Sequence, residues 1–324
     1  MTYRILSTSP SFGYFASEPL EYLKSHGCEW DLLPQGKKIS QEELIDRIKG
    51  FDAIVVGMEE KITEAVLGAA TKLKIITKHG AGVDNIDIPA ATRKGIPVVS
   101  AAGANSDAVA DLTLGLFLSL ARTIPFADRS AKEGRWPRLV GIQINGKVLG
   151  IVGLGQIGKK VAKRATGFDM KVLSYDVVKD EAFAKQWGIT YLPLEEVLAQ
   201  ADFLSIHIPL NSSTRRLIGE KELRLMKKDS FLVNVSRGSI VDEEALCQAL
   251  KEGRIRGAAL DVFEQEPPGQ SPLLRLDNFI ATPHMAGYTR EALVETGMIC
   301  VRAIVDVLNG KRPQGVINQE VLKV

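Results

Sequence analysis

The most constraining feature of this sequence is a glycine-rich loop in the middle of the chain. The loop consists of Gly153, Leu154, Gly155, Gln156, Ile157 and Gly158. It follows an apolar run at 147–152, typical of a buried strand, and precedes helical spacing over 157–166. A GxGxxG pattern alone is a weak signal, but between a strand and a helix it predicts a dinucleotide site. Its glycines would permit a tight turn, approach of pyrophosphate to backbone amides, and packing of helix on strand.

The next predicted strand, 171–175, is followed directly by Asp176. The dinucleotide fingerprint places an acidic residue about 20 positions beyond the loop, where it binds the adenosine ribose hydroxyls. A carboxylate there would repel the 2′-phosphate of NADP, and the nearest following cation is Lys179. We therefore predict NAD as the cofactor.

Short apolar runs and helical segments alternate along the whole chain, which predicts parallel sheets covered by helices on both faces. The predicted strands are 3–7, 53–57, 73–77, 96–99, 147–152, 171–175, 202–208, 230–235, 257–262 and 278–281. The clearest predicted helices are 41–48, 157–166, 194–199 and 243–251. A length of 324 residues favours two domains.

The mid-chain position of the glycine loop sets the predicted domain boundaries, because about a hundred residues precede the dinucleotide unit. We expect a substrate-binding domain at 1–100 plus 288–324 and an NAD-binding domain at 101–287. A long apolar helix over 109–120, capped by Asn105 or Ser106, would connect them. A last helix, capped by Thr289 and stopped by Gly310, would return to the first domain.

Composition excludes several classes of partner. The net charge is only +2 and basic residues form no long run, so neither nucleic acid nor an anionic membrane is expected as a partner. The longest apolar run, 112–121, is too short to span a bilayer. The N-terminus has no secretory pattern, and the three cysteines, Cys28, Cys247 and Cys300, lack metal-type spacing. We expect free thiols, no metal, and a cytoplasmic location.

Three successive predicted strands in the last third of the chain end in chemically active side chains. These are Arg237, the two acids Glu264 and Glu266, and His284. Ligands of parallel sheets bind at the carboxyl ends of the strands, so we expect these side chains at one edge beside the nicotinamide. Each alone is more often a structural residue, whereas their joint placement favours a catalytic site.

The chemistry of these side chains suits oxidation of an alcohol by NAD. The reaction needs a base for the hydroxyl proton, and the reverse reaction needs the same group as an acid; a histidine, here His284, is the side-chain type that can serve in both roles near neutral pH. A neighbouring carboxylate would favour the protonated form and fix the tautomer, and Arg237 would orient a substrate carboxylate. Spacing alone leaves open whether Glu264 or Glu266 reaches the imidazole.

At these residues the sequence resembles the D-isomer-specific 2-hydroxyacid dehydrogenase family, which includes phosphoglycerate, glyoxylate and hydroxypyruvate enzymes. The resemblance covers nearly the whole chain. It rests on GAGVDNID at 80–87, VLGIVGLGQIG at 148–158, HIPL at 207–210 with Asn211, Thr214 and Leu217, VNVSRGSIVD at 233–242, ALDVFEQEP at 259–267, and ATPHMAGYT at 281–289.

The resemblance implies roles for individual residues. The catalytic trio would be Arg237, Glu266 and His284, which selects Glu266 over Glu264. Arg237 and the backbone at Gly80, Ala81, Gly82 and Val83 would bind the substrate carboxylate. Asp261 would bind the nicotinamide amide. The remaining cofactor contacts would come from the glycine loop, Asp176, His207, Ile208, Pro209, Thr214, Val235, Ser236, Arg237, His284 and Gly287.

The implied fold is two Rossmann-like or flavodoxin-like parallel-sheet domains with the active site in the cleft between them. The implied function is NAD-dependent hydride transfer to or from C2 of a small 2-hydroxy or 2-keto acid, such as 3-phosphoglycerate, glycerate, glyoxylate or hydroxypyruvate, by a homodimer. An NAD(H)-sensing corepressor on the same scaffold is the alternative. Formate or phosphite oxidation is weaker, since formate enzymes carry Gln in place of Glu266.

One departure from the family concerns the substrate. Relatives acting on phosphoglycerate carry an arginine just after the strand that corresponds to 53–57 here. This chain has Glu59 and Glu60 in that region, with Lys61 and Lys78 close in the sequence. The two acids argue against a phosphorylated substrate on this side.

Overall fold

The computed structural model describes residues 2–323, which divide into two compact units. The first comprises the chain up to Asn105 together with the part from Gly287 onward, and the second is Ser106–Ala286. The strands are β1 (Tyr3–Ser7), β2 (Cys28–Leu32), β3 (Ala53–Val56), β4 (Ile75–Lys78), β5 (Val98–Ser100), β6 (Val148–Val152), β7 (Lys171–Tyr175), β8 (Thr190–Tyr191), β9 (Phe203–Ile206), β10 (Phe231–Asn234), β11 (Gly257–Leu260) and β12 (Phe279–Ala281). The α-helices are α1 (Glu18–Ser25), α2 (Gln41–Ile48), α3 (Glu64–Ala69), α4 (Ile88–Arg93), α5 (Ser106–Ala121), α6 (Ile124–Lys132), α7 (Gln156–Ala165), α8 (Glu181–Trp187), α9 (Leu194–Gln200), α10 (Glu220–Leu225), α11 (Glu243–Lys251) and α12 (Arg290–Leu308).

The first unit is built on a five-stranded parallel sheet in the order β2-β1-β3-β4-β5, the flavodoxin-like order. Successive strand residues point to opposite faces, and both faces are covered. Ile54 packs with Leu44 and Leu67 beneath α2 and α3. Its neighbour Val55 packs with Ile304 of α12 on the other face. The apolar strands therefore reflect burial on both sides.

Helix α12 belongs to this first unit. Its N-cap Thr289 accepts a hydrogen bond from the amide of Ala292, and the chain turns away at Gly310, which has a φ of 72°. The Cys300 thiol donates to the carbonyl of Lys78 at 3.4 Å. The C-terminal helix thus covers the sheet built by the N-terminal strands.

The second unit contains a seven-stranded parallel sheet in the order β12-β11-β10-β9-β6-β7-β8. The strand order reverses between β6 and β9, and such a switch point is where ligands bind in open parallel sheets. The prediction of two parallel-sheet α/β domains is confirmed. Two strands were not predicted, β2 and β8, because both lie at sheet edges where polar residues such as Glu29 are exposed.

The apolar helix α5 is part of the second unit, and Phe117 packs edge-on against Phe203 at 5.2 Å. Among residues 2–323, no single helix is long and apolar enough to cross a bilayer, although α5 and α6 meet that criterion as a pair bent by 63°. The chain leaves the first unit at Asn105, five residues beyond the boundary expected at 100. The reason is that the amide of Ala101 donates to the carbonyl of Gly80 and holds this segment to the first sheet.

The three cysteines, Cys28, Cys247 and Cys300, are free and buried. Cys28 and Cys300 lie in one apolar cluster of the first unit, and Cys247 lies in a cluster of the second. Burial raises the pKa of the Cys300 thiol to about 12, so this thiol stays protonated and unreactive. The prediction of free thiols is confirmed.

Candidate active site

The glycine loop joins β6 to α7 at the switch point of the second sheet. Gly153 has a φ of 98°, and a methyl group there would lie 2.9 Å from the carbonyl carbon of His207. A methyl group at Gly158 would lie 2.1 Å from the carbonyl oxygen of Gly153. At Gly155 an added methyl would meet no protein atom within 4 Å. Two glycines are thus required by packing, and the third leaves open space at the N-terminus of a ten-residue helix.

Asp176 lies beside this loop at the carboxyl end of β7. Its Oδ2 accepts the amide of Leu154 at 2.7 Å, and its Oδ1 accepts the amide of Val178 at 2.9 Å. The carboxylate is therefore held against the glycine loop with both oxygens oriented. The dinucleotide fingerprint places the acid for the adenosine ribose hydroxyls at this strand end, and that role of Asp176 stays a prediction.

The segment following β9 lies against the same loop. The position that a side chain at Gly153 would need is occupied by Ile208 and His207. The Thr214 hydroxyl donates to the carbonyl of Pro209 at 2.7 Å and so closes the turn after this strand. These four residues, together with Val235 and Ser236 beyond β10, are the predicted cofactor contacts at the strand ends of the second unit. The last predicted contact, Gly287, belongs to the first unit.

The imidazole predicted to transfer the proton and the carboxylate predicted to orient it are hydrogen-bonded to each other. Nδ1 of His284 and Oε2 of Glu266 lie 2.7 Å apart. Burial would raise the pKa of Glu266, but the hydrogen bonds from His284 and from the amide of Phe263, with the charges of His284 and Arg237, hold it below its ordinary value. Glu266 is therefore a carboxylate at neutral pH, suited to orient and stabilise an imidazolium.

Glu264, the competing acid, points elsewhere. Its Oε1 lies 3.3 Å from Arg215 and its Oε2 lies 3.7 Å from Arg216. Its backbone amide donates to Glu243 at 2.6 Å. Sequence spacing left open whether Glu264 or Glu266 reaches the imidazole. In the structure it is the Glu266 carboxylate that contacts His284.

Arg237 reaches the same edge of the sheet from β10. Its Nη1 donates to the carbonyl of Ser236 at 2.8 Å, and its own carbonyl accepts from Asn234 at 2.9 Å. A methyl group on the next residue, Gly238, would lie 1.9 Å from the carbonyl carbon of Phe263. The turns after β10 and β11 therefore touch, which brings the guanidinium close enough to influence the Glu266 carboxyl.

Asp261 has a structural role that the sequence did not reveal. Its buried carboxylate accepts hydrogen bonds from the Thr282 hydroxyl at 2.6 Å and from the amides of Met285 and Ala286, each at 2.9 Å. The amide of His284 donates to the carbonyl of Asp261 at 2.8 Å. His284 itself adopts a φ of 51°, which is unusual for a residue with a side chain. Asp261 thus holds the strained turn that presents the imidazole.

Asp261 was predicted to bind the nicotinamide amide. Its two oxygens have further lone pairs, so anchoring the turn leaves that prediction open. The signal that would have revealed the anchoring role is weak, because a buried acid just after a strand has no distinctive spacing from the turn it binds.

Two of the other three histidines, His79 and His207, are poorly suited to acid–base chemistry. Burial lowers the pKa of His79 to about 4 and that of His207 to about 3, so both are neutral at physiological pH. His79 is hydrogen-bonded to Ser9 at 3.0 Å, and His207 to Ser205 at 2.6 Å. Neither contacts a carboxylate among the described residues, whereas His284 does.

The predicted substrate loop, Gly80 to Val83, follows β4 in the first unit. The Ser100 hydroxyl donates to the carbonyls of Gly80 and Ala81, at 3.2 Å and 2.7 Å. The Gly80 amide donates to the carbonyl of Lys78. Within residues 2–323 the amides of Ala81, Gly82 and Val83 donate to no protein acceptor, while their carbonyl side is fixed. Such a run of amides is suited to bind a carboxylate.

Comparison with known proteins identifies the kind of chain that carries this site. Residues 114–286 match the family model described as D-isomer specific 2-hydroxyacid dehydrogenase, NAD binding domain. D-3-phosphoglycerate dehydrogenase of Methanocaldococcus jannaschii is 47% identical over 86% of this chain and 54% of that protein. Glyoxylate reductase of Korarchaeum cryptofilum is 42% identical over 91% of both chains.

The fold agrees with solved structures as well. The crystal structure of the TT0316 protein from Thermus thermophilus superposes with a TM-score of 0.90 at 34% identity, covering 97% of this chain and 99% of that one. This chain spans about half the length of the phosphoglycerate dehydrogenase and nearly all of the glyoxylate reductase. The chain therefore belongs to the D-isomer specific 2-hydroxyacid dehydrogenase family, and residues 114–286 form its NAD binding domain.

Proposed function

We propose that this chain catalyses the reversible NAD-dependent reduction of a short 2-keto acid to a D-2-hydroxy acid. The observation that carries the proposal is the 2.7 Å contact between His284 and Glu266, at strand ends shared with Arg237 in an NAD binding domain. When bound, NADH would supply the hydride for reduction and NAD+ would take it up in oxidation. The residues that would hold it are those of the glycine loop, with Asp176.

The tautomer of His284 follows from its contact with Glu266. The carboxylate accepts the proton on Nδ1, so Nε2 is the nitrogen that exchanges a proton with the substrate oxygen. In reduction, Nε2 of the imidazolium donates a proton to the carbonyl oxygen of the substrate. In oxidation, the neutral Nε2 accepts the hydroxyl proton, and Glu266 stabilises the resulting cation.

Each of the two units offers donors that suit a substrate carboxylate. Arg237 offers a planar fork of N–H groups that matches a carboxylate. The amides of Ala81, Gly82 and Val83 offer a second anion site on the first unit, without any formal charge. Binding the carboxylate orients the adjacent keto carbon, which is the part of the substrate that reacts.

We further propose that the substrate carries no phosphate. The segment after β3 contains Glu59 and Glu60, and Glu60 is largely buried. Burial raises the pKa of Glu60, and its Oε2 makes no hydrogen bond within residues 2–323. Lys78 already donates to the carbonyl of Gly57 and to Asn85. A buried acid at the carboxyl edge of this sheet disfavours a phosphate and favours small substrates such as glyoxylate or hydroxypyruvate.

A panel of keto acids tests both proposals. We expect reduction of glyoxylate and hydroxypyruvate with NADH, and a kcat/KM for 3-phosphohydroxypyruvate at least about tenfold lower, equivalent to about 1.4 kcal/mol. NADPH should support turnover poorly, and Asp176→Ala should narrow the difference between the two cofactors. A protein that binds NADH and reduces none of these acids would instead be the sensor named as the alternative. A preference for the phosphorylated acid would refute the substrate proposal alone.

We propose that the protein is a homodimer that pairs through an extended segment after α6. Trp136 is 79% exposed and Val140 is 87% exposed, with Leu139 between them also exposed. The net charge of the chain is close to zero. An exposed apolar segment of this kind is typical of a surface that is buried against another protein chain. Trp136→Asp should yield monomers in light scattering, whereas Leu274→Asp, another exposed apolar residue of the same unit, should not. A monomeric wild-type protein would contradict the proposal.

A further inference from the structure

We propose that Glu243, the first residue of α11, is a positioning residue that holds the loop carrying Glu266, the carboxylate that orients His284. The inference rests on the proposed function, because it assigns importance to where Glu266 lies. Glu243 lies on α11, outside this loop, and its role is to fix the backbone of residues 263–266. The carboxylate of Glu243 accepts the backbone amide of Glu264 at 2.6 Å.

Apart from the packing of the Phe263 and Glu264 backbone against Gly238, the loop has few other supports. Residues 264–267 are exposed and belong to no helix or strand. Within the loop, the amide of Phe263 donates to Oε1 of Glu266 at 3.0 Å, which orients that side chain relative to its own backbone. The exposed ion pairs of Glu264 with Arg215 and Arg216 are of the kind that contribute little. The bond to Glu243 is therefore the main charged-group hydrogen bond from outside the loop to its backbone.

Glu243 is itself mounted rigidly. Its neighbour Asp242 caps α11 by accepting the amides of Glu244 and Ala245, each at 3.1 Å. Leu246 and Leu250 of the same helix are buried in the core of the second unit. The carboxylate thus projects from the fixed first turn of a packed helix, and a hydrogen bond to it transmits that rigidity to the loop.

The charge of Glu243 is not explained by stability. Burial raises the pKa of Glu243, the hydrogen bond from the Glu264 amide opposes that rise, and the carboxylates of Glu264, Asp242 and Glu266 add to it. A glutamine side chain would accept the same hydrogen bond without repulsion from three neighbouring carboxylates. The acid at position 243 is therefore locally unfavourable for stability. A negative charge near Glu266 favours the imidazolium form of His284, which is the form that donates the proton in reduction.

Three variants separate the contribution of the Glu243 hydrogen-bond acceptor from that of its negative charge. Glu243→Ala removes both the acceptor and the charge, Glu243→Gln keeps an acceptor oxygen and removes the charge, and Glu244→Ala is the matched control at an exposed neighbour. Glu243→Ala should lower kcat about tenfold through misplacement of Glu266, with the Kd for NADH unchanged. Glu243→Gln should restore kcat to within about twofold at its own optimum, and Glu244→Ala should match wild type.

The pH profile supplies a readout that a merely structural role would not change. The charged groups that face the imidazole are Glu266, which contacts it, Asp261 beneath its turn, and Arg237 beside the carboxylate. The groups facing Glu243 are Asp242, Glu264 and Glu266. Removing one negative charge near the Glu266–His284 pair makes an adjacent positive charge less favourable, so the basic limb of keto-acid reduction should move to lower pH in both Glu243 variants. No shift should occur in Glu244→Ala.

Hydrogen exchange decides the inference independently of turnover. In Glu243→Ala the amide of Glu264 should exchange at least about tenfold faster than in wild type, whereas Glu243→Gln should retain protection. If wild type reduces no keto acid, the proposed function fails while the exchange result still tests the anchoring of the loop. Wild-type exchange and turnover in Glu243→Ala, or equal losses in the alanine and glutamine variants, would overturn the role of Glu243.

Discussion

Replacing His284 with alanine should lower kcat for keto-acid reduction by about a thousandfold, the usual scale of a general acid that contacts the reacting oxygen. The reason is that His284 is the one histidine of the described chain paired with a carboxylate, at 2.7 Å from Glu266. His79 and His207 cannot replace it, because burial keeps both neutral at physiological pH. Steady-state kinetics with NADH and the preferred keto acid measures the loss.

The control for this variant is His26→Ala, an exposed histidine at the end of α1. It should leave kcat unchanged. Fluorescence titration should give a Kd for NADH in His284→Ala close to that of wild type, since the glycine loop and Asp176 are untouched. Turnover within about tenfold of wild type in His284→Ala would show that another group transfers the proton, and would remove the mechanism proposed above.

Asp261→Asn should both lower the stability of the protein and reduce its turnover rate. The aspartate accepts three hydrogen bonds from the turn that carries His284. An asparagine side chain would place its own N–H donors against one of these three donors, so that hydrogen bond would be lost. Leaving one buried donor unsatisfied costs about 2 kcal/mol in the free energy of unfolding. The turn holds His284 at a φ of 51°, so its relaxation should also lower kcat by about a hundredfold.

Denaturant unfolding measures the first effect, and kcat per NADH-binding site measures the second. The matched control is Thr282→Val, which removes one of the three donors and leaves the two amide bonds intact; it should cost about 1 kcal/mol and retain most activity. If Asp261→Asn lost stability while keeping wild-type kcat per site, the turn would not need its anchor to present the imidazole.

The buried elements of the fold were predictable from local pattern. Strands β1 and β7 have the predicted bounds, as do helices α2 and α11. Strands buried on both faces are apolar throughout, and that pattern is contained in the segment itself. The edge strands β2 and β8 were missed because one side of each is not paired in the sheet, so polar residues are tolerated and the pattern is lost.

The site was predictable in part for the same reason. The glycine loop and Asp176 lie within a single strand–helix–strand unit, so their spacing along the chain reflects their spacing in the fold. The partner of His284 was different, since Glu264 and Glu266 lie 20 and 18 positions before it and this small difference in spacing does not say which one reaches the imidazole. Only the resemblance favoured Glu266, and the structure supplies the reason, because Glu264 turns toward Arg215 and Arg216.

The sequence by itself determined that this chain forms two parallel α/β units, where the dinucleotide loop lies, and that Arg237, an acid and His284 end neighbouring strands. Tertiary structure decided which acid meets the imidazole, that Asp261 anchors its turn, and that Glu243 supports the loop from α11. These contacts join residues 18, 24 and 21 positions apart. Their geometry depends on how the turns after β10 and β11 pack against each other at Gly238, and no local pattern encodes that packing.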